Sequence, residues 1–250
     1  MTRIAFLGRG PIAERCYTQC IHNENIEIVW VCSNKNFREK FSIEKNPLFV
    51  SNKKRNEKKI LDLLQAIKID YLISVQHPWI ISKRSIDVLS GLALNLHNAK
   101  LPEYQGFNSI SHAILNGDKT YTTTIHWIIP EVDAGPLAYE ETIEIRSDDT
   151  AKTLYCRAVE ASVENFKKLI SDLEDGVAVP KKQMCGIKRF YKREEIIPLK
   201  KIKNIINYDE VDKKVRAFSF YPHEPAHFYL NDEKFYLFRK LESEYYKNES

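Results

Sequence analysis

The chain has little sulfur and little glycine. Its 250 residues include five cysteines, two methionines and eight glycines. Cys16, Cys20, Cys32, Cys156 and Cys185 make an odd total with no Cys-x-x-Cys pair. This usage suits a reducing compartment and argues against both a disulfide framework and a zinc ribbon. Cys16 and Cys20 lie one helical turn apart, but no cluster of His or Cys joins them, so packing explains them better than metal. No coherent set of metal ligands is visible anywhere, and none is expected. The apolar run after Met1-Thr2-Arg3 ends at Gly8, too short for a signal peptide or a membrane span. The expected location is the cytoplasm, with no membrane partner. A Gly-x-Ser-x-Gly elbow is missing, as is any convincing Cys-His arrangement, so no covalent nucleophile is indicated. Gly8-Arg9-Gly10 opens like a dinucleotide loop but lacks the third glycine and a clear acidic partner, which weighs against nicotinamide.

The composition is that of an ordinary globular protein: 43% apolar, 29% charged and +4 net. Thirteen tyrosines and twelve phenylalanines supply both core and possible platforms for planar ligands. Along the first half, strand-like and helix-like runs alternate. Strands are expected at 4–7, 26–31, 71–75 and 93–96, and helices at 12–21, 60–67 and 82–89, while 33–59 resists assignment. This alternation predicts an α/β fold with a Rossmann-like, mainly parallel sheet covered on both faces. Ligands bind such sheets beyond the carboxyl ends of the strands, where Arg9, Gln76 to Trp79 and Asn95 to Asn98 fall. Further on, 108–115 reads as a helix, 122–129 and 137–145 as strands, and 150–173 as a long amphipathic helix. Short aromatic strands are expected at 186–191, 215–220, 228–230 and 234–238. The organisation expected is a domain over 1–180 followed by a small, mostly β domain over 181–250, with a surface tail from 242.

The informative stretch is Leu94 to Pro136. Asn95 and His97 share a face of an extended segment, because side chains alternate along a strand. Asp133 is offered by a loop between Pro130 and Pro136. An amide, an imidazole and a carboxylate brought together suit acyl transfer to nitrogen: the amine loses a proton, the carbonyl oxygen gains charge and the leaving nitrogen regains a proton. Spacing alone leaves a second reading open, in which these residues merely cap a strand end and a turn.

Asn95-Leu96-His97, Leu101-Pro102-Glu103-Tyr104-Gln105-Gly106, Thr124-Ile125-His126 and Asp133-Ala134-Gly135-Pro136, in that order, resemble the catalytic-domain signature of the folate-dependent formyltransferases. The resemblance covers about residues 1–180. It implies that Asn95, His97 and Asp133 are the catalytic set and that N10-formyltetrahydrofolate is the formyl donor. The donor's pterin is expected against Gln76, Trp79, Ile80, Ile81, Ile86, Leu89, Ile128 and Val132. Gln105 departs from the arginine that many relatives have there.

For the acceptor, the late basic residues from Lys181 to Arg193 are diluted by Glu194, Glu195, Asp209, Glu210 and Asp212, whereas an RNA surface relies on a sustained basic field. No nucleic-acid partner is expected. The segments Arg216 to Pro225 and Asn108 to Ile114 resemble nucleotide-sugar N-formyltransferases. Such enzymes act on dTDP-linked amino-dideoxyhexoses destined for surface polysaccharide such as lipopolysaccharide O-antigen. That resemblance implies acceptor contacts from Arg9, His77, Lys100, Tyr104, Gln105, Asn108, Phe220 and Tyr221, and a 4-amino-4,6-dideoxyglucose as the leading sugar, with a 3-amino sugar still open. Sheet edges left by the late aromatic strands need covering, so a homodimer is expected. A methionyl-tRNA formyltransferase and a non-catalytic folate- or nucleotide-binding module of the same fold stand as alternatives.

Overall fold

The computed structural model describes residues 1–44 and 47–239; the expected tail from 242 lies outside them. The elements, in chain order, are β1 (Thr2–Gly8), α1 (Gly10–Ile21), β2 (Ile26–Ser33), α2 (Lys35–Lys40), β3 (Leu48–Ser51), α3 (Glu57–Ala66), β4 (Tyr71–Val75), α4 (Lys83–Val88) and β5 (Ala93–His97). They continue through β6 (Gln105–Gly106), α5 (Ser109–Asn116), β7 (Thr120–Trp127), β8 (Leu137–Glu144), α6 (Ala151–Glu174), β9 (Phe190–Tyr191), α7 (Tyr208–Ala217), β10 (His227–Leu230) and β11 (Glu233–Tyr236).

Seven strands form one sheet in the order β3-β2-β1-β4-β5-β7-β8. Strands β1 to β5 pair in parallel, and β7 and β8 extend the sheet antiparallel. Central β1 is apolar without alternation, and Ile4 to Leu7 are fully buried, as expected of a strand covered on both faces. Edge strand β8 instead alternates, exposing Glu140, Thr142 and Glu144. The order reverses between β1 and β4, so a crevice opens beyond the carboxyl ends of β1, β4 and β5.

The unassigned stretch 33–59 holds α2, β3 and the start of α3. Asn34 caps α2 by accepting the Phe37 N–H, and Phe37 packs on Phe6, Tyr17 and Phe41. Helix α6 is started by a reciprocal Thr150–Thr153 cap and lies over β7, β8 and α1.

The late segment differs from expectation in two places. Residues 215–220, read as a strand, are the last turn of α7 and its exit. Val211, Val215 and Phe218 are spaced four and three apart, a helical period, and all three enter one core cluster. Asn207 caps α7, and Glu210–Lys214 and Asp212–Arg216 pair along it. Two short ladders account for the strands: β10 with β11, and β9 with β6. The aromatic run expected at 186–191 is strand only over its last two residues. Tyr191, Ile196, Val215, Phe218 and Ala226 share a core cluster with Tyr104, Ala113, Ile114, Leu154 and Ala158, so the late segment is packed onto α5 and the start of α6.

Candidate active site

β5 and β7 lie side by side with Asn95 opposite His126 and His97 opposite Thr124. The alternation that turns Asn95 and His97 to one face therefore brings His126 beside them. Asp133 reaches the same point from the β7–β8 loop with φ +52°, a left-handed conformation that aspartate adopts more readily than most residues. Two glycines fix its height. A side chain at Gly135 would strike the Trp127 carbonyl, and one at Gly106 (φ +91°) would strike the Tyr191 carbonyl. With Gly106 in place, its N–H donates to Asp133 Oδ2 at 3.1 Å.

The hydrogen bonds define proton positions. A carbonyl oxygen only accepts, so His126 Nδ1, 3.0 Å from Trp127 O, carries a proton. Its Nε2 accepts from the Asn95 amide at 3.1 Å, leaving the second Asn95 N–H available. His97 Nε2 lies 2.8 Å from the Tyr104 carbonyl and is protonated by the same argument. His97 Nδ1 then faces Asp133 Oδ2 at 3.6 Å, while His126 Nε2 lies 3.6 Å from Oδ1. Burial alone would raise the Asp133 carboxyl; the adjacent His97 and His126 and the Gly106 N–H outweigh it and hold it well below the usual carboxylate range. A fixed carboxylate thus stands beside an imidazole nitrogen that can take up a proton.

This cluster lines a cleft of about 1010 Å³. Of the expected donor contacts, Gln76, Trp79, Ile80, Ile81, Ile128 and Val132 line it. Trp79 and Ile80 are 44% and 73% exposed, and Trp79 is oriented by its N–H to the Asn52 carbonyl. Ile86 and Leu89 do not line it. Both are buried on the α4 side, where their helical spacing from Ser82 turns them inward, Leu89 into the core beneath the sheet.

Of the expected acceptor contacts, Arg9, His77, Asn108 and Phe220 line the cleft and Tyr221 does not. Burial and Arg9 push the His77 imidazole down to about 4. Lys100 and Tyr104 belong to a separate hollow of about 420 Å³ that shares no lining residue with the cleft. The Tyr104 hydroxyl is drawn away by Asp118 and Asn116. Gln105 is buried, and its amide donates to the Asp133 carbonyl at 2.8 Å, so it braces the loop and does not face the cleft. His126 is a member of the cluster that the sequence expectation lacks, although its place in Thr124-Ile125-His126, alternating onto the Asn95 face, is a usable signal. Phe107, Phe190 and Arg193 also line the cleft and carry no local motif. Among the described residues no group of three or more His, Cys, Asp or Glu could hold a metal ion.

The chain is similar to several known proteins. The chain is 29% identical over 163 residues to a methionyl-tRNA formyltransferase of Methylacidiphilum infernorum, covering 64% of this chain and 49% of that protein. It thus spans about half the length of that curated relative. Among solved structures, it is similar to a 4-N formyltransferase from Francisella tularensis, with TM-score 0.79, 17% identity and 95% and 97% of the two chains covered. It is also similar to an N-formyltransferase from Helicobacter canadensis solved with folinic acid and dTDP-3-aminofucose, with TM-score 0.71, 20% identity and 93% and 85% covered. Residues 2–170, which contain the whole Asn95–His97–His126–Asp133 cluster, match the model of the formyl transferase family, and this chain belongs to it.

Proposed function

We propose that the protein transfers the formyl group of N10-formyltetrahydrofolate to the amine of a nucleotide-linked amino-dideoxy sugar, with dTDP-4-amino-4,6-dideoxyglucose as the leading acceptor. The observation that carries this reading is the make-up of one cleft. His97 and Asp133 share it with an apolar wall of Trp79, Ile80 and Ile81 and with two guanidiniums, Arg9 and Arg193. Among the described residues neither guanidinium has an ion-pair partner. The apolar wall suits a pterin-bearing donor, and free guanidiniums suit a diphosphate. The Helicobacter structure holds ligands of both kinds, which supports the pairing.

In the reaction, the amine nitrogen attacks the formyl carbon and the carbonyl oxygen becomes an oxyanion. The free Asn95 N–H stabilises that charge. The amine proton passes to His97 Nδ1, directly or through a water beside Asp133, and the resulting imidazolium is held by the carboxylate. Collapse breaks the bond from carbon to the donor's N10, which takes the proton back from His97. The products are the N-formyl sugar and tetrahydrofolate. No step needs a metal, and activity should survive exhaustive chelation.

We place this reading ahead of tRNA formylation because the late basic residues are interrupted by Glu194, Glu195, Asp209, Glu210 and Asp212, whereas an RNA surface relies on a sustained basic field. It is tested by offering the protein N10-formyltetrahydrofolate with 3-amino and 4-amino nucleotide sugars and, in parallel, charged initiator tRNA. A sugar product heavier by CO is expected, with none on tRNA. The reverse result removes the reading, and turnover of the 3-amino sugar alone moves only the regiochemistry. A cytoplasmic homodimer completes the proposal: Tyr229, Leu230 and Tyr236 on the β10–β11 hairpin are each more than 45% exposed, and sedimentation across the micromolar range checks the dimer.

A further inference from the structure

The two-residue ladder between β6 and β9 joins the late segment to the catalytic cluster. Gln105 N–H donates to Arg189 O, and Phe107 N–H to Tyr191 O, both at 3.0 Å. Alternation then sends neighbouring side chains opposite ways. Tyr191 turns back into the core, stacked on Tyr104 with centroids 5.5 Å apart. Phe190 turns forward into the cleft, and Phe107 stands beside the same ladder.

Phe190 and Phe107 are 47% and 42% exposed. A phenyl ring exposed in a cleft wall offers a face on which an apolar part of a ligand can pack. The Phe190 ring edge comes within 3.3 Å of where a side chain on Gly106 would begin, and the Gly106 N–H binds Asp133. One backbone unit therefore separates the phenyl face from the catalytic carboxylate. On its other side, the Arg193 guanidinium lies over the Phe107 ring, 4.4 Å from its centroid. Reaction centre, apolar face and cation thus follow one another along the wall. In a sugar joined to a diphosphate, the amine, the ring edge and the phosphates follow in the same order.

We propose that Phe190 determines specificity by seating the deoxygenated edge of the acceptor's sugar ring next to Asp133. This rests on the reading of the acceptor as a nucleotide-linked amino sugar. A methyl group against a phenyl face loses only water contacts, whereas a hydroxymethyl group there loses hydrogen bonds that the face cannot replace. The nucleobase lies further from the amine by a diphosphate and a ribose, so this ring, beside Asp133, meets the sugar.

The test compares kcat/KM for matched nucleotide-linked amino sugars, one with a methyl and one with a hydroxymethyl at the same carbon, in the parent, Phe190→Leu and Phe190→Ala. The parent is expected to favour the methyl sugar by about 10- to 100-fold, the range an apolar pocket reaches against an added hydroxyl. Phe190→Leu should keep most of that ratio, and Phe190→Ala should lose about tenfold of it. Donor KM and thermal midpoint should stay near parental values, which separates the effect from misfolding. An unchanged ratio in Phe190→Ala overturns the proposal. So does a variant that instead alters the preference between thymine and uracil nucleotides, because the ring would then seat the base. A parent that formylates no nucleotide-linked amino sugar removes this proposal together with the reading beneath it, whereas an unchanged ratio in an active parent removes this proposal alone.

Discussion

Two regions build the cleft by different means. The sheet half buries its own strands: Phe6, Val31, Ile73 and Leu94 sit in a cluster closed by α1 and α6. Asn95, His97 and His126, the groups of the proposed reaction carried on β5 and β7, hang from that frame. The late segment has no comparable interior. Tyr191, Val215 and Phe218 share their cluster with Tyr104, Ala113 and Leu154, while Phe190, Ile197, Tyr229 and Leu230 face outward. The difference separates two tasks. In the proposed reaction, proton transfer, which needs fixed geometry, falls to the frame, whereas the late segment adds a wall to the acceptor side.

The most severe way to break the frame's task is at His97. His97→Asn removes the nitrogen facing Asp133 and keeps a polar side chain of lower volume. Turnover should fall by about 10²- to 10⁴-fold, with donor affinity unchanged, because the apolar wall is untouched. Single-turnover kinetics alongside a binding titration check this. Turnover near the parental value would remove His97 from proton transfer.

A second intervention asks whether the late segment stands alone. Phe218, 4% exposed, packs in the cluster that joins the two regions. Phe218→Ala should cost about 3–5 kcal/mol in one cooperative unfolding transition. Two resolved transitions would favour the division at residue 180 into separate domains.

The sheet half was legible in the sequence because its strands are uninterrupted apolar runs bounded by turn residues. Tyr71–Val75 was found to the residue, and β5 within one. Expected helix 82–89 is α4, one residue shorter at each end. Residues 215–220 were misread for a physical reason. Phe218 and Phe220 are strand-prone aromatics, but Val215 and Phe218 continue a helical face that begins further back at Val211. Ile86 and Leu89 were assigned to the cleft because apolar residues after a strand can face a ligand or the core, and composition does not separate the two. His126 was within reach by alternation along β7. Phe190 was not, because its position depends on a ladder formed with a segment more than eighty residues earlier.

The two guanidiniums sharpen the comparison further. Arg9 leaves the frame at the end of β1, and Arg193 belongs to the late segment. Loss of a charged hydrogen-bonding group costs about 1.5–3 kcal/mol, so Arg193→Ala should raise acceptor KM by roughly 10- to 100-fold and leave donor KM alone. Arg9→Ala, measured for both substrates, tells whether the frame also holds acceptor. If Arg193→Ala raises donor KM instead, the late segment serves the folate and the division of tasks fails.

The smallest effect concerns acid. His112 lies in α5 at the seam between the regions, 4% exposed, with its ring centroid 3.9 Å from that of Tyr191. Among the described residues its Nε2 has no hydrogen-bond partner. Burial and then the nearby Arg189 push its pKa down to about 4, against a smaller opposing pull from Glu195. The folded protein therefore keeps His112 neutral in a range where the unfolded chain, near 6.5, binds a proton. Between these values the unfolded state holds more protons, so stability rises with pH and is lost as pH falls from about 6.5 towards 4. His77 adds a slope of the same sign from the cleft wall, being pushed to about 4 by burial and Arg9. Asp133, held below the ordinary carboxylate range, withdraws its contribution only at still lower pH. His112→Gln should leave the His77 contribution in place and flatten the remainder. Urea unfolding at pH 7.5, 6.0 and 5.0 measures it: the parent should lose stability with acid more steeply than the variant. Equal slopes would mean that the seam relaxes enough to hydrate a charged His112, and that the late segment is held less tightly than its buried aromatics indicate.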